Sequence, residues 1–165
     1  MYTDQREKFM IKYFITLLLL IFSFINVFSQ EEEGDSYSVE FQISRAKIRG
    51  HLLKILITEV DSTAIIKVSD NYKDFDTTYT IPADKFDQIM NLVRKIDLDD
   101  LFIAMKTTGF DGTKCILIFG NYQNKLTYQI WSPNYLTQER KLKTFLKACK
   151  LILKIAEIEE DQYFK

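Results

Sequence analysis

Apolar and polar side chains alternate along the first half of the chain, which is the pattern of β-strands that bury one face. Between Tyr37 and Ile43, every second residue is apolar and the residues between them are polar. Residues 52–60 are denser in apolar side chains, which predicts a strand near the centre of a sheet. Four strands are therefore predicted in succession, at residues 37–44, 52–60, 63–69 and 77–81.

Two later segments carry apolar residues at the three- and four-residue spacing of an amphipathic helix. The first runs from Phe86 to Ile96, and the second covers residues 138–158. In the second segment the apolar residues cover more than half of the circumference, because Leu151 and Ile155 lie beyond the main arc. A helix that packs on one sheet needs a narrower apolar arc. These two residues are therefore expected to contact a second surface, either the first helix or a binding partner.

Two more strands, at residues 114–119 and 125–131, lie between the helices and complete the order ββββ-α-ββ-α. This order predicts an α+β fold, with one mostly antiparallel sheet of about six strands packed by two helices. The domain is expected to span residues 37–158. A flexible leader at residues 30–36 precedes it, and an acidic tail at residues 159–165 follows it.

Residues 1–29 have the pattern of a secretory signal peptide. The apolar segment 13–28 contains no charge, and a lysine stands just before it. Such a peptide is removed on export, with small residues before the cut, so cleavage is predicted between Ser29 and Gln30. Met10 is a candidate for the true start, and the expected location is the periplasm or the outside of the cell. The alternative is an anchor through residues 13–28, although a spanning helix needs roughly 20 apolar residues.

The composition indicates an ordered globular domain and argues against one class of partner. The chain has 165 residues, with 22 basic and 23 acidic side chains and a formal net charge of −1. Binding to nucleic acid needs a basic surface, so a nucleic-acid partner is not expected. With 13 Phe and 9 Tyr residues, the chain has the aromatic content of a densely packed domain.

No string typical of a catalytic or metal centre occurs in the sequence. The patterns H-E-x-x-H, G-x-S-x-G and G-x-G-x-x-G and the P-loop are absent. His51 is the single histidine, and it is interpreted as a strand-edge histidine or as one whose hydrogen bonds are satisfied, because no catalytic or metal-binding partner lies near it in sequence. The clustered aspartates are interpreted as solvated or capping carboxylates, with Asp97 capping a short helical turn. Neither a metal nor a cofactor is predicted.

Cys115 and Cys149 are the two cysteines of the chain. Cys115 lies on the first strand of the last hairpin, and Cys149 lies on the apolar face of the long helix. If that helix packs on that strand, the two sulfur atoms can meet, and an exported protein can keep a disulfide. The alternative is a pair of buried free thiols that pack as small apolar side chains.

The most individual strings are Gly109-Phe110-Asp111-Gly112-Thr113 before the last hairpin and Trp131-Ser132-Pro133 after it. Together with the amphipathic helix that follows, they resemble the arrangement in uncharacterised small exported bacterial proteins with a G-F-D-G-T and W-x-P hairpin. The resemblance covers residues 86–158 and implies no activity. Asp111 and Trp131 are expected to lie close together, either as a shallow ligand site or as a structural corner.

These observations favour an exported, non-catalytic module that binds a protein or another component of the cell envelope. Its candidate binding residues are Asp111, Trp131, Leu151 and Ile155. The alternative from another class is a small hydrolase or sugar-binding enzyme that uses Asp111 with a second acid or with His51. A third interpretation is an envelope structural protein, which would contact the membrane only through an uncleaved N-terminal segment.

Overall fold

The computed structural model describes residues 36–164, in which six strands form one antiparallel sheet. The strands are β1 (Ser38–Arg45), β2 (Leu53–Val60), β3 (Thr63–Asp70), β4 (Phe75–Pro82), β5 (Thr113–Gly120) and β6 (Lys125–Trp131). Their order across the sheet is β4-β3-β2-β1-β5-β6, so β1 pairs both with the next strand in sequence and with a strand from the second half of the chain. The predicted α+β fold with a six-stranded sheet is confirmed.

Within residues 36–164, three α-helices accompany the sheet, and they are α1 (Ala83–Val93), α2 (Leu98–Ala104) and α3 (Lys143–Ile155). A 3-10 turn at Glu160–Gln162 follows them. Asp97 caps α2 as predicted, because its side chain accepts a hydrogen bond from the N–H of Asp99 at 2.8 Å. The short turn predicted after the first helix is thus a helix in its own right.

The predictions for the N-terminal segment lie outside the described residues. They are the signal peptide at residues 1–29, the cleavage between Ser29 and Gln30, the start at Met10, and the anchor through residues 13–28. Within residues 36–164, no helix combines the length and the apolar character that a membrane crossing requires.

The hydrophobic core lies between one face of the sheet and the helices. Phe41, in the middle of β1, has no exposed surface and pairs with Ile55 on one side and Leu117 on the other. Phe86 of α1 and Phe145 of α3 belong to the same buried cluster. The residues between these core positions of β1 remain partly exposed. The period-two pattern thus places one face of the strand in the core, where the removal of apolar surface from water stabilises the fold.

The long helix is shorter at both ends than its periodicity predicts. The prediction covers residues 138–158, whereas the helix occupies Lys143–Ile155. Before it, Lys141 has a φ of 54°, which is incompatible with a right-handed helix. After it, Glu157 has a φ of 57°, and the N–H of Ile158 bonds back into the last turn, which is the Schellman way of ending a helix.

Leu151 and Ile155, the second apolar flank of α3, are half-buried and pack against the core. They line a shallow surface cavity of about 310 Å³ with Pro82 and Gln88, which lie where β4 leads into α1. α1 and α3 pack against each other, so α1 supplies the second surface that the wide apolar arc requires. Since both side chains contact the molecule's own core, a role for them in binding stays a prediction.

Residues 159–164, predicted as part of an acidic tail outside the domain, fold back onto the sheet. Tyr163 is only 4% exposed, and its carbonyl accepts a hydrogen bond from the hydroxyl of Thr113 at 3.2 Å. Asp161 and Glu159 stay exposed. The tail therefore keeps its carboxylates in water while it buries the ring of Tyr163. The free energy gained by burying this ring is larger than the cost of ordering the charged segment.

Candidate functional site

Trp131, at the end of β6, lies at a corner where two glycines approach its indole ring. A Cβ atom built on Gly109 would lie 2.7 Å from Cε2 of Trp131, and one built on Gly112 would lie 2.8 Å from its Nε1. Gly112 also has a φ of 145°, which favours glycine. The two glycines of the G-F-D-G-T string are thus required because any side chain there would displace the ring.

Arg140 holds this corner together from the inside. Its guanidinium is 5% exposed and donates hydrogen bonds to four backbone carbonyls, those of Ser132, Tyr135, Ala104 and Trp131, at 2.8–3.3 Å. Burial lowers the pKa of Arg140 from its usual value, but arginine remains charged at neutral pH. The guanidinium of Arg140 therefore connects the end of β6 with the segment that follows it and with the last residue of α2.

A groove with a volume of about 590 Å³ opens beside this corner, between the β1–β2 connection and residues 108–112. We call it the corner groove. Its lining includes three basic side chains, two aromatic rings, one histidine and one amide, which are Arg45, Arg49, Lys114, Phe110, Trp131, His51 and Gln129.

Unpartnered polar atoms are concentrated in this groove. Residues 36–164 contain five buried side-chain nitrogen or oxygen atoms without a hydrogen-bond partner, and four of them belong to groove residues. They are Nε of Arg45, both ring nitrogens of His51 and Nε1 of Trp131. Buried polar atoms in folded proteins are nearly always hydrogen bonded. All four have almost no accessible surface, so they lie behind the groove wall rather than on its open surface.

His51 forms part of the groove wall and is 3% exposed. Its Nε2 lies 3.8 Å from Oδ1 of Asp70, which is too long for a hydrogen bond. Its ring stacks on Tyr163, with 5.8 Å between the ring centroids. Burial and the nearby charge of Arg45 lower the pKa of His51, and the opposing effect of Asp70 is smaller. The imidazole is therefore neutral at pH 7, with one N–H donor and one acceptor.

Tyr163 supports this wall from behind. Its hydroxyl donates a long hydrogen bond of 3.5 Å to Oδ2 of Asp70, and the guanidinium of Arg45 lies 5.2 Å from the centre of its ring. Burial and the negative charge of Asp70 raise the pKa of Tyr163 to about 12. The hydroxyl is thus a permanent donor at neutral pH, and the folded-back C-terminal segment fixes the positions of Arg45 and His51.

The structure brings only part of the predicted site together. Trp131 lines the corner groove, whereas Asp111 is exposed and is not part of the lining. Leu151 and Ile155 lie on α3, beside the start of α1. His51 was interpreted as a strand-edge or hydrogen-bonded histidine. It lies two residues before β2, is buried in the groove wall, and has no hydrogen-bond partner on either ring nitrogen.

The basic side chains of the groove were not predicted as site residues. Arg45 and Arg49 stand on either side of Lys47 in the connection after β1, whereas Lys114 comes from β5. The run Arg45, Lys47 and Arg49 was the signal available in the sequence, because three basic residues in one short connection form a local positive patch. Their proximity to Lys114 follows only from the pairing of β1 with β5.

Within the described ranges, no group of three His, Cys, Asp or Glu side chains is arranged to hold a metal ion. The chain matches no protein-family model, and no curated protein sequence is similar to it. The chemistry of the corner groove is therefore the basis for a functional proposal.

Cys115 on β5 and Cys149 on α3 are both fully buried free thiols, and their side chains lie within hydrogen-bonding distance of each other. The structure thus brings together the two residues that were candidates for a disulfide. Burial and the contact with Cys149 raise the pKa of Cys115 well above its usual value, so the reactive thiolate is scarce in the folded state. Whether the pair is oxidised in an exported protein stays a prediction.

We expect the reduced, folded protein to react with a thiol reagent far more slowly than the unfolded protein does, because both sulfur atoms are buried. The measurement is labelling with and without denaturant, and Cys115→Ala and Cys149→Ala provide the signal of one thiol. Protein recovered from an oxidising compartment and unfolded without reduction should contain no reactive thiol, and its digest should contain one linked peptide pair. Two labelled cysteines in that sample would contradict the disulfide.

Proposed function

We propose that this protein is an exported, non-catalytic binding module that receives its ligand in the corner groove. The observation that carries the proposal is the set of accessible polar, charged and aromatic side chains that line this one cavity, which are Arg49, Lys114, Gln129, Phe110 and Trp131. Ligand sites combine a concave surface with a few convergent polar groups, and the groove has both. Export rests on the sequence of residues 1–29 alone.

The groove is supported by parts of the fold that do not need a ligand to be in place. Arg140 fixes the backbone on which Trp131 stands, through its bonds to the carbonyls of Trp131 and Ser132. Tyr163 and Gln162 fix Arg45, since the guanidinium donates to the Gln162 carbonyl at 3.0 Å. A site held in this way loses little conformational entropy when it binds, which favours affinity.

The alternative of a small hydrolase needs a second acid or a base beside Asp111. No hydrogen bond or ion pair in the described part of the chain joins Asp111 to such a group, and its exposure leaves it at the solvent side of the loop. We therefore keep the groove, without Asp111, as the centre of the proposal. The anchored structural protein is a proposal about residues 13–28 and draws no support from the groove.

The test is an NMR screen of the mature protein against a library of small polar fragments. We expect the amide signals that shift to belong to residues 44–51, 108–114 and 129–131, because those segments form the groove. The exposed outer side of α2, which carries Phe102 at 65% exposure, serves as an internal comparison. Fragments that bind only there, or no binding at the groove, would contradict the proposal.

A further inference from the structure

The charge of the corner groove restricts the class of ligand. Its lining contains Arg45, Arg49 and Lys114 and no aspartate or glutamate, although the whole chain has a net charge of −1. His51 is neutral at pH 7, as argued above. The guanidinium of Arg45 is turned to Gln162 and Tyr163, so the exposed positive charges of the groove are those of Arg49 and Lys114. A concave surface of one sign attracts ligands of the opposite sign.

Two aromatic rings stand among these charges. Trp131 forms the inner part of the lining, and Phe110 is fully exposed at its rim. A phenylalanine that projects into solvent contributes nothing to the core, so its position is informative when it borders a polar cavity. Aromatic faces carry partial negative charge, and they pack favourably against the C–H groups on one face of a sugar ring.

The remaining polar groups suit hydroxyl groups. The exposed amide of Gln129 offers two N–H donors and one carbonyl acceptor. Arg49 and Lys114, which are exposed, offer further N–H donors. A ligand that has many hydroxyl groups can use both kinds of group, whereas an apolar ligand would leave all of them unpaired.

We infer that the ligand of the corner groove is an acidic saccharide, meaning a sugar ring that carries a carboxylate or a phosphate group. The acidic group lies between Arg49 and Lys114, and one face of the ring lies against Trp131 or Phe110. This inference rests on the proposed function, and it adds the chemical class of the ligand. Arginine binds both carboxylate and phosphate through two parallel N–H donors, so the two acidic groups are distinguished by experiment.

The chain contains a single tryptophan, and it lies in the groove. Intrinsic tryptophan fluorescence therefore reports on the site directly. The test titrates the mature protein with glucuronate, glucose 6-phosphate and glucose, which share a sugar ring and differ in charge. We expect at least one of the two acidic sugars to bind about tenfold more tightly than glucose, since one charge-assisted contact supplies such a factor. The stronger of the two identifies the acidic group.

Variants at exposed positions connect this binding to the groove. Arg49→Ala and Lys114→Ala should each weaken binding of the acidic sugar about fivefold to tenfold. Lys125→Ala is the matched control, because Lys125 is also an exposed lysine but stands at the other end of β6, opposite Gly120. None of these side chains is part of the core, so circular dichroism and the melting temperature should not change.

The aromatic contribution has its own matched pair. Phe110→Ala should weaken binding of the charged and the neutral sugar by the same factor, because the ring contacts the part that they share. Tyr122→Ala is the control, since Tyr122 is 82% exposed in the turn between β5 and β6. Higher salt should weaken binding of the acidic sugar only.

Two results would overturn the inference, and they differ from a failure of the proposed function. Equal affinity for glucuronate, glucose 6-phosphate and glucose would refute the acidic class while a saccharide site remains. No response to any of the three sugars, together with fragments that bind the groove in the NMR screen, would refute the saccharide class alone. No response to the sugars and no fragment at the groove would refute both proposals.

Discussion

Replacing Arg140 with Met should lower the free energy of unfolding by about 3–4 kcal/mol, because four backbone carbonyls lose their donor at a cost of about 1 kcal/mol each. Methionine retains most of the apolar volume of the arginine side chain, so the loss reports on the hydrogen bonds rather than on a cavity. Those bonds connect Trp131, Ser132, Tyr135 and Ala104. The measurement is urea unfolding of the mature domain.

Two further variants sharpen the interpretation of Arg140→Met. Arg140→Lys keeps the charge but lacks the planar fork that reaches four acceptors, so most of the loss should remain. Arg94→Met is the control for removing an arginine, since Arg94 is exposed at the end of α1, and it should change stability by less than about 0.5 kcal/mol. A loss below about 1 kcal/mol for Arg140→Met would contradict the structural role of the fork.

Alanine substitutions at three glycines should separate steric clash from backbone strain at the corner. Gly109 meets the Trp131 ring without a positive φ, Gly50 has a φ of 75° with no atom within 4 Å, and Gly112 combines both conditions. We expect Gly109→Ala to cost about 1–3 kcal/mol as overpacking and Gly50→Ala to cost about 1 kcal/mol as strain. Gly112→Ala should cost more than either, about 3–4 kcal/mol.

The clash component can be measured independently through a double-mutant cycle. Trp131→Leu removes the ring atoms that a Cβ on Gly109 would meet, so Gly109→Ala should cost at least about 1 kcal/mol less in that background. Gly50→Ala should cost the same in both backgrounds, because Gly50 has no contact that the substitution changes. Equal costs for Gly109→Ala with and without the indole would show that the corner does not depend on this approach.

Most of the fold was predictable because its determinants are local. The alternation from Tyr37 to Ile43 depends only on neighbouring residues, and it correctly assigns Val39, Phe41 and Ile43 to the core. The same holds for the stripe of α1 that begins at Phe86 and for the Asp97 cap of α2. The ends of α3 were not predictable in this way, because Lys141 and Glu157 take a positive φ that periodicity does not encode.

The candidate site was only partly predictable, because it depends on contacts between distant segments. The sequence predicted that Trp131 and the G-F-D-G-T string lie close together, because they stand at the two ends of one hairpin. The connection after β1, with Arg45 and Arg49, lies near Lys114 only because β1 pairs with β5. That pairing depends on the order of the strands in the sheet, which no single segment of the sequence determines. Asp111, the most conspicuous acid of the string, lies outside the groove lining.

The sequence by itself determined the six strands, the helices and the apolar face of each, since these follow from side-chain spacing along a few neighbouring residues. Tertiary structure decided which charges face one another and which polar groups are buried. Arg140 has the sequence context of a surface residue, but it is buried in the structure. Tyr163 belongs to the acidic tail in sequence, but its ring is buried and stacks on His51. The physical reason is that burial and hydrogen bonding belong to the packed molecule, where residues far apart in the chain become neighbours.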